Sequence, residues 1–377
     1  MKETLHQLFA VASPGVESIL RAELAGLGAG SPVIVEGGVT FQGDDELLMR
    51  ANLWSRTASR ILLRIAEFPA ANLRALASGA GRVDWKEYLG PQHRILVKAT
   101  CHKSRVYHSG AAAQRVQVAA CEVAGCVRAE VQETSGDGAG MAEATVYVRL
   151  ERDVCMISLD TSGEHLHMRS YRLETAKAPL RENLAAAVLL RASWDGTCAL
   201  LDPMCGSGTF PIEAALLAAR MPPGGLRRFA FMDWACFDEA RWMRVQDQAR
   251  QQQRPVSVPI LGADRDPGAV AIARRNAQRA GVLPWIDFEQ RPLARTPDLP
   301  GPGLLVCNPP YGARIGNPRD LRDLYAALGN VVRRLPGWRA AILTTDRHLA
   351  SATGLTFTDD GVPLAHGGLR VGIFITR

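Results

Sequence analysis

Gly303-Leu-Leu-Val-Cys-Asn-Pro-Pro-Tyr-Gly312 decides the fold of this 377-residue chain. The apolar run 303–307 has the length of a buried strand, and it ends in Asn308-Pro309-Pro310-Tyr311. Neither proline offers an N–H to a sheet ladder, so the chain must turn out of the sheet there. Asn308 and Tyr311 then stand at the sheet's lip, and the Pro309 carbonyl is released from ladder duty. An ordinary turn reads the same way, so the decapeptide alone leaves two readings open.

The second piece lies about a hundred residues upstream. Thr197–Asp202 reads as a buried strand, and Pro203-Met204-Cys205-Gly206-Ser207-Gly208-Thr209 as the loop after it. An apolar helix follows over Phe210–Arg220. Strand, glycine loop and helix open a nucleotide-binding α/β unit. The glycines let backbone approach a ligand, and the helix N-terminus favours a carboxylate. A phosphate loop wants Gly-Lys-Ser/Thr, and no lysine is present. A dinucleotide loop wants a third glycine, and Pro211 stands there. Asp202 at the head of the loop instead suits a ligand with an ammonium group, such as the methionine part of S-adenosylmethionine.

The third piece is Pro259–Asp264, a short strand ending in an acid, followed by Arg265-Asp266-Pro267. Asp264 is placed to accept two ribose hydroxyls, as the acid after the second strand does in such folds; capping the next turn is the competing role. Asp266 caps the following helix, with Pro267 at its first position. With a methyl donor on this loop, Asn308-Pro309-Pro310-Tyr311 gains a chemistry. An exocyclic base amine has its lone pair in conjugation and is a poor nucleophile. The Asn308 side-chain oxygen and the Pro309 carbonyl can hold its two N–H bonds, and Tyr311 can stack on the base. The lone pair is then free to face a methyl group.

These motifs, with Gly262-x-Asp264-x-Asp266 and Asn308-Pro-Pro-Tyr-Gly-x-Arg314, resemble the THUMP-domain RNA guanine-N2 methyltransferases, most closely the branch acting on large-subunit ribosomal RNA. The resemblance covers nearly the whole chain. It includes Leu8-Phe-Ala, Gly15-Val-Glu17, Trp54-Ser-Arg-x-Ala-Ser-Arg60, and Tyr171-Arg172 leading into Ala178-Pro-Leu-x-Glu182. It implies an α/β fold: a class I, Rossmann-like S-adenosylmethionine-dependent methyltransferase domain, preceded by a small ferredoxin-like lobe and a THUMP domain. It also implies Leu180 and Glu182 near the methionine end of the cofactor, alongside Asp202 through Thr209, Asp264, Arg265 and Asn308. One departure stands out. The family has an acid after the third strand, near adenine; Phe288-Glu-Gln-Arg-Pro292 puts a proline there. Adenine contact then falls to backbone groups or Glu289. Some relatives carry a second methyltransferase module, and this chain stops after the first.

Composition agrees. The length suits two or three domains with full cores. No segment approaches the roughly 20 apolar residues of a membrane span, and Met1–His6 lacks a signal core. Eight cysteines occur without a Cys-x-x-Cys pair. That usage points to reduced thiols, a cytoplasmic location and no metal site. Cys205 and Cys307 flank the pocket as small residues rather than nucleophiles, and His165-Leu-His167 lacks a third ligand.

Charge is uneven. Residues 1–165 hold 17 Lys+Arg against 19 Asp+Glu, and residues 166–377 hold 27 against 19. The N-terminal half nevertheless contains an acid-free stretch from Tyr88 to Cys121, with Arg94, Lys98, Lys103, Arg105 and Arg115 beside Tyr107, His102 and His108. It reads as a nucleic-acid face, with Lys103, Arg105 and Arg115 holding RNA backbone and Arg314 positioning the substrate. A solvated helix face is the alternative.

The boundaries expected are a lobe over 1–45, the THUMP domain over 46–160, a linker over 161–180 and the catalytic domain over 181–377. Met221–Pro255 is long for a connection, and Phe229, Phe231, Trp234 and Trp242 mark it as a packed helical insert. Three functions stay open at this point. The first is guanine-N2 methylation in RNA, with ribosomal RNA or its precursor as partner and tRNA as a variant. The second is methylation of adenine N6 in DNA or of a protein glutamine. The third is non-catalytic RNA binding, against which the intact Asp202, Gly206, Gly208, Asp264 and Asn308–Tyr311 argue.

Overall fold

The computed structural model describes residues 5–129, 141–175, 180–311, 318–366 and 369–377. Within them the chain builds two sheets, one from each half of the sequence. The first half contains β1 (His6–Val11), α1 (Glu17–Gly26), β2 (Gly30–Val35), β3 (Gly38–Gly43), α2 (Asp45–Trp54), β4 (Arg60–Pro69) and α3 (Leu73–Ala80). It continues with β5 (His93–His102), α4 (Ser109–Ala124), β6 (Val127–Arg128), β7 (Ala142–Glu151) and β8 (Val154–Asp160). The strand order is β2-β3-β1-β4-β8-β7-β5-β6. Because β4 pairs with β1 on one side and β8 on the other, a single sheet runs across residue 45.

Strand β7 shows how the two faces of this sheet differ. Ala144, Val146, Val148 and Leu150 are buried, and the intervening Tyr147 and Arg149 lie on the opposite face, since side chains alternate along a strand. The helices α1 to α4 all join the core on the buried side, with Leu8, Phe41, Ile61 and Ile95.

The second half contains α5 (Glu182–Arg191), β9 (Ala199–Asp202), α6 (Thr209–Ala218), α7 (Glu239–Gln251), β10 (Ile260–Asp264), α8 (Pro267–Arg279), β11 (Asp287–Gln290) and β12 (Gly303–Cys307). Then come α9 (Pro318–Arg334), β13 (Trp338–Thr344), α10 (Arg347–Ala352), β14 (Phe357–His366) and β15 (Leu369–Thr376). The order is β11-β10-β9-β12-β13-β15-β14. The first five are parallel, while β15 runs antiparallel to β13 and β14. Leu200 and Val306 sit in a core with α5, α6 and α8; Leu201 and Leu305 sit in a second core with α9 and α10. Burial on both faces explains why β9 and β12 read as unbroken apolar runs. This is the Rossmann-like methyltransferase order expected. It reverses direction between β9 and β12, which opens a crevice at the carboxyl ends of the strands.

The insert packs where the sequence did not say. Phe229, Phe231 and Trp242 form a ring cluster with centroids 5.4–5.7 Å apart. That cluster belongs to the core of the first sheet, so a segment of the catalytic half closes the N-terminal half. The seam is polar as well. Glu23 accepts from the Arg56 N–H at 2.5 Å and the Thr57 hydroxyl at 2.6 Å. The Arg56 guanidinium donates to the Met221 carbonyl at 2.8 Å. Gly15 abuts the Pro363 carbonyl so closely that no Cβ fits. The connecting segment is packed into this seam, with Thr161, Ser162, Arg169 and Tyr171 all buried.

Candidate active site

Three strand ends bring the candidate residues together. Asp202 ends β9 and is buried; its Oδ1 accepts from the Met204 N–H at 3.1 Å. Burial, with the like charge of Asp264 adding to it, pushes the Asp202 carboxyl well above the usual carboxylate range. Asp264 ends β10. Its Oδ2 accepts from the Gly206 N–H at 3.0 Å and its Oδ1 from the Asp266 N–H at 2.9 Å. Asp264 therefore does perform the capping role, and each oxygen keeps a lone pair for a ligand. Asp266 caps α8 through the Gly268 N–H at 2.8 Å, with Pro267 at the first turn, as expected.

Asn308 follows β12. Its side-chain oxygen is buried and has no hydrogen-bond partner among the described residues. An unsatisfied buried acceptor costs about 1–3 kcal/mol, so this oxygen is poised for a donor from outside. Pro309 is buried, and Pro310 is held through its carbonyl by the Tyr325 hydroxyl at 3.5 Å. Tyr311 is half-buried and touches both catalytic cores. Arg314 lies outside the described residues.

The glycine loop is built for close backbone approach. Gly206 and Gly208 have φ of 52° and 85°, the left-handed region that side chains disfavour. A Cβ on Gly208 would stand 2.9 Å from Ala273 and 3.2 Å from the Phe288 ring. The same ring would meet a Cβ on Gly262 at 2.7 Å. Phe288 thus fills the floor beneath the loop, and α8 supports it from the side. Asn276 donates to the Ser207 carbonyl and the Glu174 carbonyl, both at 3.1 Å. Pro203, Cys205, Ser207 and Thr209 are buried and Met204 is half-buried. Arg265 is exposed, and its carbonyl accepts from the Gln290 amide at 3.4 Å. Burial raises the thiols of Cys205 and Cys307, which suits small packing residues and not nucleophiles. In β11, the Glu289 carboxylate pairs with Arg291, just ahead of Pro292.

Arg172 is the residue whose role the sequence left unstated. Its guanidinium donates to the Leu180 carbonyl at 2.7 Å and to Glu182 at 2.6 Å, and it reaches the Thr209 hydroxyl at 3.5 Å. One side chain ties Leu180 and Glu182 to the glycine loop. Next to it, the Tyr171 hydroxyl donates to buried Glu213 at 3.1 Å. The quoted run from Tyr171-Arg172 into Glu182 was the signal; Leu180 and Glu182 are near in sequence, whereas Thr209 and Glu213 are distant. Glu182 is pushed up to about 7, because burial outweighs the lowering by Arg172. A carboxyl with a raised folded-state value favours the folded chain when protonated, and this contribution is lost as pH rises from its unfolded value to about 7. Glu182→Gln keeps an acceptor for Arg172 and removes the titration. Its melting temperature relative to wild type is expected to climb between about pH 4.5 and 7 and then level off. Thermal melts across that range check this, and parallel profiles would refute it.

The acid-free stretch is not acid-free in space. The turn between β7 and β8 brings Asp153 to 3.0 Å from Arg105, and Glu151 to 3.8 Å from His102. Tyr88 is buried against Trp234, and His108 caps α4 through the Ala111 N–H. Lys103 and Arg115 are exposed, on the N-terminal half and not in the pocket. Among the described residues no three His, Cys, Asp or Glu side chains converge as a metal site would require. His165 and His167 stack at 5.5 Å, and burial pulls His167 down to about 3.

Comparison with known proteins fits this geometry. A family described as RMKL-like, methyltransferase domain, matches residues 169–368, and an RlmL ferredoxin-like domain matches residues 7–62. The ribosomal RNA large subunit methyltransferase K/L of Syntrophotalea carbinolica is 40% identical over 365 residues, covering 93% of this chain and 50% of that protein. The chain thus spans about half the length of such relatives. A putative RNA methyltransferase of Synechocystis is 34% identical, with 97% of this chain and 95% of the relative covered. A crystal structure of a putative methyltransferase complexed with S-adenosylhomocysteine superposes with a TM-score of 0.87 at 32% identity, over 100% of this chain and 98% of the other.

Proposed function

We propose that this chain, which belongs to the RMKL-like methyltransferase family, methylates the exocyclic N2 amine of a guanine in large-subunit ribosomal RNA. The orphaned Asn308 oxygen carries this reading. It is a preorganised acceptor, next to an aromatic ring, across the crevice from the two strand-end acids. The family is S-adenosylmethionine-dependent, and the loop fits that cofactor: Gly206 and Gly208 clear the approach, and Asp202 and Asp264 are acceptors for an ammonium and for ribose hydroxyls. Leu180, Glu182 and Thr209, joined by Arg172, would flank the methionine end.

The cofactor supplies an electrophilic methyl group. The chain supplies placement. The guanine leaves its stack and enters the crevice. Tyr311 stacks on it, and the Asn308 oxygen and Pro309 carbonyl accept the two N–H bonds of the amine. The nitrogen would pyramidalise, its lone pair forming the new N–C bond as the donor's sulfur–methyl bond breaks, and the surplus proton would leave to solvent past the two acceptors. The surplus proton becomes acidic only after transfer, so no strong base is required. Orientation and preorganised acceptors therefore carry the rate. Tyr311→Ala is expected to weaken substrate binding by about 1–3 kcal/mol, the value of a base stack, as measured by titration with an RNA fragment.

RNA as the substrate class rests on the names of the relatives and on exposed cations. Lys103, Arg105, Arg115 and Arg314 are our candidates for backbone contact. Replacing Lys103 and Arg105 together is expected to lower the slope of log affinity against log salt by about 0.7 for each phosphate lost. Equal slopes would refute that assignment. The Arg105 share should be the smaller, because binding RNA must compete with Asp153. Eight free thiols fit a cytoplasmic setting. Mass spectrometry of nucleosides from RNA treated with the protein and cofactor tests the function. N2-methylguanosine is the expected product, and N6-methyladenosine would overturn the substrate while leaving the pocket.

A further inference from the structure

Among the described residues, the eight-stranded sheet has one face that none of its four helices covers. All of them, and the aromatic cluster of the insert, join the core on the other side. The open face is a concave cavity of about 1120 Å³. Two aromatic side chains lie on it, Phe9 beneath one cation and Tyr147 beneath two. The Arg64 guanidinium is 5.1 Å from the Phe9 ring; Arg60 and Lys98 are 5.7 and 6.0 Å from the Tyr147 ring. Of the acids, Glu36 and Glu151 are both held by Arg149 at 2.9 Å, and Asp160 is held by Arg60. Glu67 faces Arg64 without forming an ion pair. Lys98 and Arg152 have no acid partner among the ion pairs of the described residues. The surface is therefore an apolar floor with two rings and a surplus of cations.

Its position matters as much as its chemistry. Ser59, Arg60 and His165 are among the residues that line the cavity. The Ser59 hydroxyl accepts from the Asn183 amide at 3.4 Å, and Asn183 adjoins Glu182 in the first turn of α5. A strand laid along the face meets the C-terminal half at this contact with α5.

We propose that this open sheet face binds single-stranded RNA, with bases stacked on Phe9 and Tyr147 and phosphates on Lys98, Arg64 and Arg152, and feeds it toward Asn308. The assignment rests on the RNA reading above and places the nucleic acid on a different surface from Lys103 and Arg105. Rings for bases and a cationic track for phosphates are what sequence-tolerant single-strand binding needs.

The test uses the full chain and a short fluorescein-labelled single-stranded RNA, followed by anisotropy at several salt concentrations. Tyr147→Ala is expected to weaken binding about tenfold, and Tyr147→Phe to retain it. Lys98→Glu, at an exposed position, is expected to flatten the salt slope by about 0.7. S-adenosylmethionine affinity should be unchanged in all three. Should Tyr147→Ala fail to fold, the Lys98→Glu slope decides alone. Wild-type affinity and slope in the variants would overturn the proposal and leave the face to a protein partner. Product analysis separates the two failures. Wild-type protein that makes N2-methylguanosine while the variants bind RNA normally sinks only this surface. Wild-type protein that methylates no RNA sinks the functional reading beneath it.

Discussion

Asn308→Ala is expected to lower the methyl-transfer rate by about two to three orders of magnitude, the loss seen when a comparable preorganised group is removed. Cofactor affinity should stay nearly intact. The reason lies in the ground state. The Asn308 oxygen is buried and has no partner among the described residues, so an acceptor stands in place, held by the fold, before the amine arrives. Tyr325 holds the Pro310 carbonyl and so fixes the backbone that presents it. Alanine leaves the turn in place, because Pro309 and Pro310 still fix φ. Single-turnover kinetics at saturating cofactor, beside calorimetric titration of the cofactor, is the measurement. A rate within about threefold of wild type would remove Asn308 from the chemistry, since the lost acceptor should cost far more.

The second large effect is on the cofactor. Asp264→Ala is expected to weaken S-adenosylmethionine binding about ten- to a hundredfold, from losing charge-assisted hydrogen bonds of about 1.5–3 kcal/mol. Two causes are superimposed. The carboxylate would meet ribose hydroxyls, and it already holds the Gly206 and Asp266 N–H groups. Asp264→Asn separates them. The amide keeps one acceptor oxygen for Gly206 but loses the charge and half the accepting capacity. If the ribose role dominates, the asparagine variant binds almost as poorly as the alanine variant while melting near wild type. If holding the loop dominates, asparagine restores most of the affinity. Unchanged calorimetric affinity in the alanine variant would remove Asp264 from the cofactor site altogether.

Much of the catalytic half was legible because its cues are local. Proline removes donors and glycine permits positive φ wherever they stand, so Asn308-Pro309-Pro310 and Gly206-Ser207-Gly208 declare a strand exit and a loop without help from distant residues. Asp266-Pro267 declares a helix start for the same reason. The acid-free stretch failed as a spatial statement because charge acts through space. Asp153 is 48 residues from Arg105 in the chain and in contact with it in the fold. Cys121 and Cys126, close in sequence but without a Cys-x-x-Cys spacing, face each other at 3.2 Å across the turn that ends α4.

By itself, then, the sequence determined the strand ends, the loop and the identity of the groups offered at the crevice, because backbone sterics and donor loss act within a few residues. Tertiary structure alone decided what those groups meet. It joined β4 to β1 and β8 to make one sheet with an open face, and it set the aromatic insert into the N-terminal core. It placed Arg172 between Leu180, Glu182 and Thr209, and Asn276 and Phe288 against the glycine loop. These contacts depend on which buried faces pack together and on which buried polar atoms find partners, and both are settled only when distant segments compete for the same core.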